Sequence, residues 1–211
     1  CTANRRKEVR MDIANWVMER VGGTDLIDLR DEVEQERFLE GTGSIIFDHF
    51  SKTAFACESV RTNMALFESH CQQLGYRTVS FESLDIKGNP IYHTNVMMCL
   101  AETFAIICLD CIDDKKERKN VLKHLKEDGL EVIAITEEQV ASFAGNMLQV
   151  KGNDEKRYLV MSEAAHKSLT TDQITKINKH CEILSSPIDT IETCGGGSAR
   201  CMMAEVFLPK K

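Results

Sequence analysis

Apolar residues along the chain gather into short continuous runs, separated by polar, glycine-containing breaks and by longer stretches with helical spacing. Ser44 to Asp48 and Thr53 to Cys57 are two such runs across the polar turn Asp48 to Lys52, which predicts a strand pair. Arg61 to Leu74 then places Met64, Phe67, Cys71 and Leu74 on one helical face and stops at Gly75, and Arg77 to Phe81 returns as strand. The order recurs. Ile91 to Leu100 and Phe104 to Leu109 read as strands, Asp114 to Asp128 as a charged amphipathic helix ended by Gly129, and Glu131 to Ile135 as strand. Thr136 caps a helix to about Phe143, Met147 to Val150 and Tyr158 to Met161 are strands, and Thr171 to His180 is a helix before the strand Glu182 to Leu184.

The flanks are less regular. An opening helix from Asn4 to Arg20 carries Val9, Ile13, Trp16 and Val17 as one stripe, with Asn4 as N-cap and Gly22-Gly23 as the stop. Leu26 to Leu29 predicts a short strand, and the charged stretch Arg30 to Arg37 a solvated loop or helical turn. Near the end, Ala204, Val206 and Phe207 read as a short buried strand. A strand, strand, helix, strand unit thus returns every ~45 to 60 residues, a period that suggests radial or stacked repetition in an α/β fold. No low-complexity segment or linker interrupts residues 1–211, so a single domain is expected.

Composition narrows the partners. A net charge of -7 argues against a phosphate backbone or an anionic membrane surface, which leaves a small molecule and excludes nucleic acid and lipid as expectations. No apolar run has bilayer-spanning length and no secretory signal opens the chain, so a cytoplasmic protein is expected. The nine cysteines are odd in number and scattered, which predicts reduced thiols. Cys108 and Cys111 have the spacing of a metal or redox pair, but no second pair or ligand-spaced histidines accompany them, so no metal or other cofactor is expected.

Three positions carry candidate chemistry. Gly195-Gly196-Gly197 put backbone where side chains do not fit, which allows close approach by something small, and Cys201 follows within four residues. The bland alternative is a loose loop with a buried, inert thiol. His93 and Asn95 stand in an otherwise apolar stretch that, read as strand, turns both to one side, where polar groups are costly unless paired or functional. Glu40 is a lone carboxylate between Phe38-Leu39 and Gly41-Thr42-Gly43, either a pocket acid or a solvated one.

Leu39-Glu40-Gly41-Thr42-Gly43, Ser59-Val60-Arg61-Thr62, His93-Thr94-Asn95, Phe143-Ala144-Gly145-Asn146 and Gly195-Gly196-Gly197-Ser198-Ala199-Arg200-Cys201-Met202 occur in one order. In that order they resemble the guanidine-modifying pentein superfamily of arginine deiminases, amidinotransferases and dimethylarginine hydrolases. The chain looks most like its amidinotransferase-related branch associated with citrulline utilisation. The resemblance implies a five-bladed α/β propeller, of which about four blades are covered, in a chain that lacks an N-terminal portion. It implies Cys201 as nucleophile, His93 as general acid/base and Glu40 as the carboxylate that grips the reacting nitrogens or orients the site. Arg61, Asn95, Gly196 and Gly197 would bind substrate, Arg61 through an α-carboxylate. Cys194 is the competing nucleophile, but it precedes the glycines.

The implied activity is hydrolysis of a carbon-nitrogen bond in a small guanidino or ureido amino acid through a covalent cysteine intermediate. Asn95 replaces the carboxylate usual in deiminases, which turns the expectation toward citrulline, with ornithine as product. Arginine deiminase and amidinotransferase remain alternatives, as does a non-catalytic binding protein on the same propeller. The sequence leaves the oligomeric state open, a homodimer among the options.

Overall fold

The computed structural model describes residues 9–22 and 26–209. Three helices open it: α1 (Met11–Arg20), α2 (Arg30–Glu34) and the single turn α3 (Gly41–Ser44). The first sheet follows, with β1 (Ile46–Asp48) antiparallel to β2 (Thr53–Cys57), a return through helix α4 (Met64–Gln73), and β3 (Arg77–Phe81) parallel to β2. A parallel partner needs a crossover connection, and α4 supplies it. The second sheet repeats the plan with β4 (Met98–Leu100), β5 (Phe104–Ile107), α5 (Lys115–Glu127) and β6 (Glu131–Ala134). After the short helix α6 (Glu137–Ala141), β7 (Leu148–Lys151), β8 (Arg157–Ser162), helices α7 (Glu163–Ser168) and α8 (Thr171–Ile177), and β9 (Glu182–Ser186) form the third. Helix α9 (Asp189–Gly195) and a 3₁₀ turn at Ala199–Met202 complete the described chain.

In each sheet the strand between its two partners is the middle one in sequence, and β2 and β5 are buried at every position. This explains why Thr53 to Cys57 and Phe104 to Ile107 are unbroken runs rather than alternating ones. Phe55 and Phe104 are fully buried, each contributing ~1.5 to 3 kcal/mol of transfer free energy. One core cluster joins residues of all three sheets.

Polar side chains fix each unit on the next. Asp128, just past α5, accepts hydrogen bonds from Ser51 and Thr53 at 2.9 and 3.0 Å and pairs with Arg77. Thr136 and Thr170 close capping boxes with Gln139 and Gln173. Those two buried amides then donate to one another at 2.7 and 3.0 Å, tying the second unit to the third.

Several sequence expectations are corrected. The described residues hold three sheets, where about four blades were expected. Leu26–Leu29 is irregular, as is the stretch Ala204–Phe207, in which Val206 and Phe207 are 57% and 65% exposed. Ile91 to Leu100 is a strand only from Met98, because a 3₁₀ turn at Thr94–Val96 interrupts it. The opening helix begins at Met11, and Asn4 and Gly23 lie outside the described residues. Its stripe is present but faces outward, with Val9, Ile13 and Trp16 each more than half exposed. Helices α7 and α9 were not anticipated. No helix among the described residues is long and apolar enough to cross a membrane.

Candidate active site

Glu40 stands at the N-terminal boundary of α3. Its backbone N–H donates to Ser44 Oγ at 3.0 Å, and that hydroxyl donates in turn to the Arg61 carbonyl at 3.0 Å, so one serine ties the Glu40 turn to the Arg61 turn. Thr94 is a second tie. Its hydroxyl donates to the Ser44 carbonyl at 2.6 Å and accepts from the Cys57 N–H, at the end of β2, at 2.9 Å. These bonds, and not strand periodicity, turn the chain at Thr94–Val96 and present His93 and Asn95 to one cavity.

His93 Nε2 lies 2.8 Å from Glu40 Oε2, with the two side chains only 10% and 16% exposed. Gly43 makes the approach feasible, since a Cβ there would sit 2.8 Å from His93 Nδ1. Arg61 Nη1 is 3.7 Å from the same carboxylate oxygen, and its guanidinium lies 4.7 Å from the centre of the Tyr92 ring. The Tyr92 hydroxyl donates to the Gly196 carbonyl at 3.3 Å, which joins this side of the site to the glycine segment.

That segment is a helix end. Gly195 closes α9, and Gly196 takes the left-handed conformation (φ 69°) that favours glycine. Buried Ser198 donates to buried Glu192 at 2.6 Å and anchors the turn that carries Cys201. Cys201 is exposed and sits in the 3₁₀ turn Ala199–Met202. A Cβ on Gly197 would meet its sulfur at 3.1 Å, so glycine there lets the thiol lie against the backbone. The sulfur faces two side-chain amides, Asn146 Nδ2 at 3.3 Å and Asn95 Nδ2 at 3.9 Å.

Glu40, Arg61, His93, Asn95, Gly196, Gly197 and Cys201 therefore line one cavity of about 1110 Å³. Cys194 is also exposed but does not line it. The other described cysteines are buried, and desolvation pushes the Cys99 thiol up to about 12. Among the described residues no three His, Cys, Asp or Glu side chains gather where a metal could be held. Around one space stand an exposed thiol able to attack, an imidazole able to move a proton, a carboxylate able to hold a cation and an arginine able to hold an anion.

Sequence reasoning missed Asn146 and Tyr92 at this site. Asn146 stood in the quoted Phe143-Ala144-Gly145-Asn146 run and Tyr92 precedes His93, but neither pattern showed what the side chain would face.

A family model for eukaryotic N,N dimethylarginine dimethylhydrolase matches residues 1–208. The chain belongs to this family. Dimethylarginine dimethylhydrolases are among the three activities that the five motifs brought together, and nothing in the match speaks for the citrulline-utilisation branch. The solved structures agree in fold. The product-bound N-terminal domain of ArgZ, an arginine dihydrolase from the ornithine-ammonia cycle in cyanobacteria, has a TM-score of 0.65 at 19% identity, over 83% of this chain and 59% of that one. SxtG, an amidinotransferase of Microseira wollei, has a TM-score of 0.52 at 14% identity, over 75% of this chain and 42% of that one. A comparison with curated proteins found no match. The chain spans less than two thirds of the length of the structures it resembles. Family and fold together place it in the pentein superfamily, with a mixed α/β fold of small sheets.

Proposed function

We propose that the protein hydrolyses a carbon-nitrogen bond of a guanidino group on an arginine-like amino acid, N-methylated arginine being the class that the family description suggests. The observation that carries this reading is the meeting of Glu40, His93, Arg61 and Cys201, drawn from four separate segments, around one cavity. The Cys201 thiolate attacks the guanidino carbon and forms a C–S bond. As the C–N bond breaks, the departing amine takes a proton from His93. Water then gives a proton to His93 and attacks the adduct, and the C–S bond breaks to return the thiolate. The products are the amine and a ureido amino acid. Glu40 offers its charge to the guanidinium, as it does to that of Arg61. The three sheets of one plan are read as blades of a propeller around this cavity, within a single catalytic domain.

Asn95 bears on substrate class. A ureido substrate such as citrulline would use the amide as a donor to the ureido oxygen. Nδ2 is instead turned to the Cys201 sulfur, and Oδ1 is a buried acceptor with no partner among the described residues. An acceptor suits the N–H groups of a guanidinium, which has donors only. This favours a guanidino substrate, with citrulline as product and not as substrate.

Full-length protein assayed against arginine, N-methylated arginines, agmatine and citrulline tests the reading. Release of an alkylamine or ammonia together with a ureido product is expected. Turnover of citrulline to ornithine and no guanidine would refute it.

Arg61 provides a narrower test. A guanidinium fork binds a carboxylate in two-point fashion and Lys does not reproduce it, so Arg61→Lys is expected to raise KM ~10- to 100-fold while kcat changes less than ~3-fold. Steady-state kinetics on an amino acid and on its decarboxylated analogue separate the effects. An unchanged KM for the amino acid would make Arg61 a partner of Glu40 and Tyr92 alone.

A further inference from the structure

We propose that Asn146 is the hydrogen-bond donor that holds the Cys201 sulfur in place and stabilises it as thiolate. The inference rests on the reading of Cys201 as nucleophile and goes beyond it by naming what activates the sulfur. Asn146 is 3% exposed, and its side chain lies between two groups: the Asn95 carbonyl, 3.2 Å from Nδ2, and the Cys201 sulfur, 3.3 Å from Nδ2. A backbone carbonyl only accepts, so the nitrogen and not the oxygen of the amide must face it. This fixes the orientation of the amide and leaves the second N–H of Nδ2 directed at the sulfur. Oδ1 lies farther away, at 3.6 Å, where it can accept from the neutral thiol. The one amide therefore accommodates both protonation states, with the shorter contact favouring the thiolate.

The position of Asn146 is imposed by packing. Phe143 adopts a left-handed φ of 64°, and the Asn146 N–H donates to the Phe143 carbonyl at 2.9 Å, which closes the turn. Gly145 lies flat on the segment that carries Asn95, because a Cβ there would come 2.2 Å from the Val96 carbonyl oxygen. Asn146 and Asn95 are thus joined as one rigid unit beneath the sulfur. The charged or titratable groups lining the cavities that meet at the sulfur are Arg30, Glu34, Glu40, Arg61, Tyr92, His93 and Arg200 in the larger one, and Asp85, Lys87, Tyr92, Cys111 and Glu137 in one of about 360 Å³. Among the described residues none of these is hydrogen-bonded to the sulfur, and the atoms that are belong to the two amides. A neutral donor stabilises an anion without neutralising it, so the sulfur keeps its charge for attack.

The test is the pH dependence of iodoacetamide alkylation of the full-length protein, read by mass spectrometry on the peptide that carries Cys201. This needs no substrate, so its outcome is independent of which guanidine, if any, is turned over. Asn146→Ala is expected to slow alkylation at neutral pH ~10-fold, with the two rates converging at high pH, since a lost donor shifts the thiolate population and not the thiolate's reactivity. Asn146→Asp keeps the shape but sets a carboxylate against the sulfur, and is expected to be slower again at neutral pH. A donor with a merely structural role would leave the midpoint of the profile where it is. Superimposable profiles for wild type and Asn146→Ala overturn the proposal. If Asn146→Ala does not fold, Asn146→Asp decides alone, and a wild-type profile there overturns it equally.

Discussion

Cys201→Ser is expected to lower turnover of every guanidino substrate by more than ~10⁴-fold and to leave the fold intact. A hydroxyl at this position lacks the accessible ionisation of a thiol, and the amides of Asn146 and Asn95 that face the sulfur cannot lower an alcohol far enough to replace it. The fold is expected to survive because Cys201 is exposed, the substitution removes no packed side chain, and oxygen is smaller than the sulfur that already clears Gly197. Steady-state turnover and a thermal melt measure the two halves of the expectation. Substantial activity in a folded Cys201→Ser protein would move the nucleophile elsewhere, with exposed Cys194 the first candidate.

Glu40→Gln is the second large effect, with kcat/KM expected to fall ~10²- to 10⁴-fold. One oxygen of Glu40 is held by His93 at 2.8 Å and approached by Arg61 at 3.7 Å, so the carboxylate orients the imidazole and offers charge to an incoming cation. Glutamine keeps the size and one acceptor but loses the charge, which separates electrostatics from packing. Stability is expected to change by only ~1 kcal/mol, since the amide oxygen can still accept from His93. A Glu40→Gln protein with wild-type kcat/KM would leave Glu40 as a structural partner of His93.

The repeat was legible where burial was complete. Thr53 to Cys57 and Phe104 to Ile107 are runs that a two-faced buried strand requires, and Asp114, Thr136 and Gly129 mark helix ends by local chemistry that needs no tertiary contact. Ile91 to Leu100 was misread for the opposite reason. Its turn is made by the Thr94 hydroxyl reaching Ser44 and Cys57, two segments the local pattern does not contain. Ala204 to Phe207 has strand-like residues but stays irregular, with Val206 and Phe207 exposed, and propensity alone does not make a sheet.

The site was legible as a set of odd residues and not as a geometry. Glu40, His93 and Cys201 each stood out as polar or reactive groups beside apolar runs or glycines, whereas their meeting depends on the ties through Ser44, Thr94 and Ser198. His93 and Asn95 do face one cavity, but through a 3₁₀ turn and not through the strand period that suggested it. Asn146 shows the limit most plainly, because an asparagine after a glycine gives no sign that its amide will rest on a sulfur 55 residues away.

The central claim, that Cys201 bonds to the guanidino carbon, is tested most directly by acid-quenching full-length protein during turnover of an N-methylated arginine and locating the adduct by mass spectrometry. The expected result is an added mass equal to the substrate less its departing amine, on the peptide containing Cys201 and lost when Cys201 is replaced by serine. The same adduct on Cys194, or turnover with no adduct on any cysteine under conditions that slow its hydrolysis, would contradict the account.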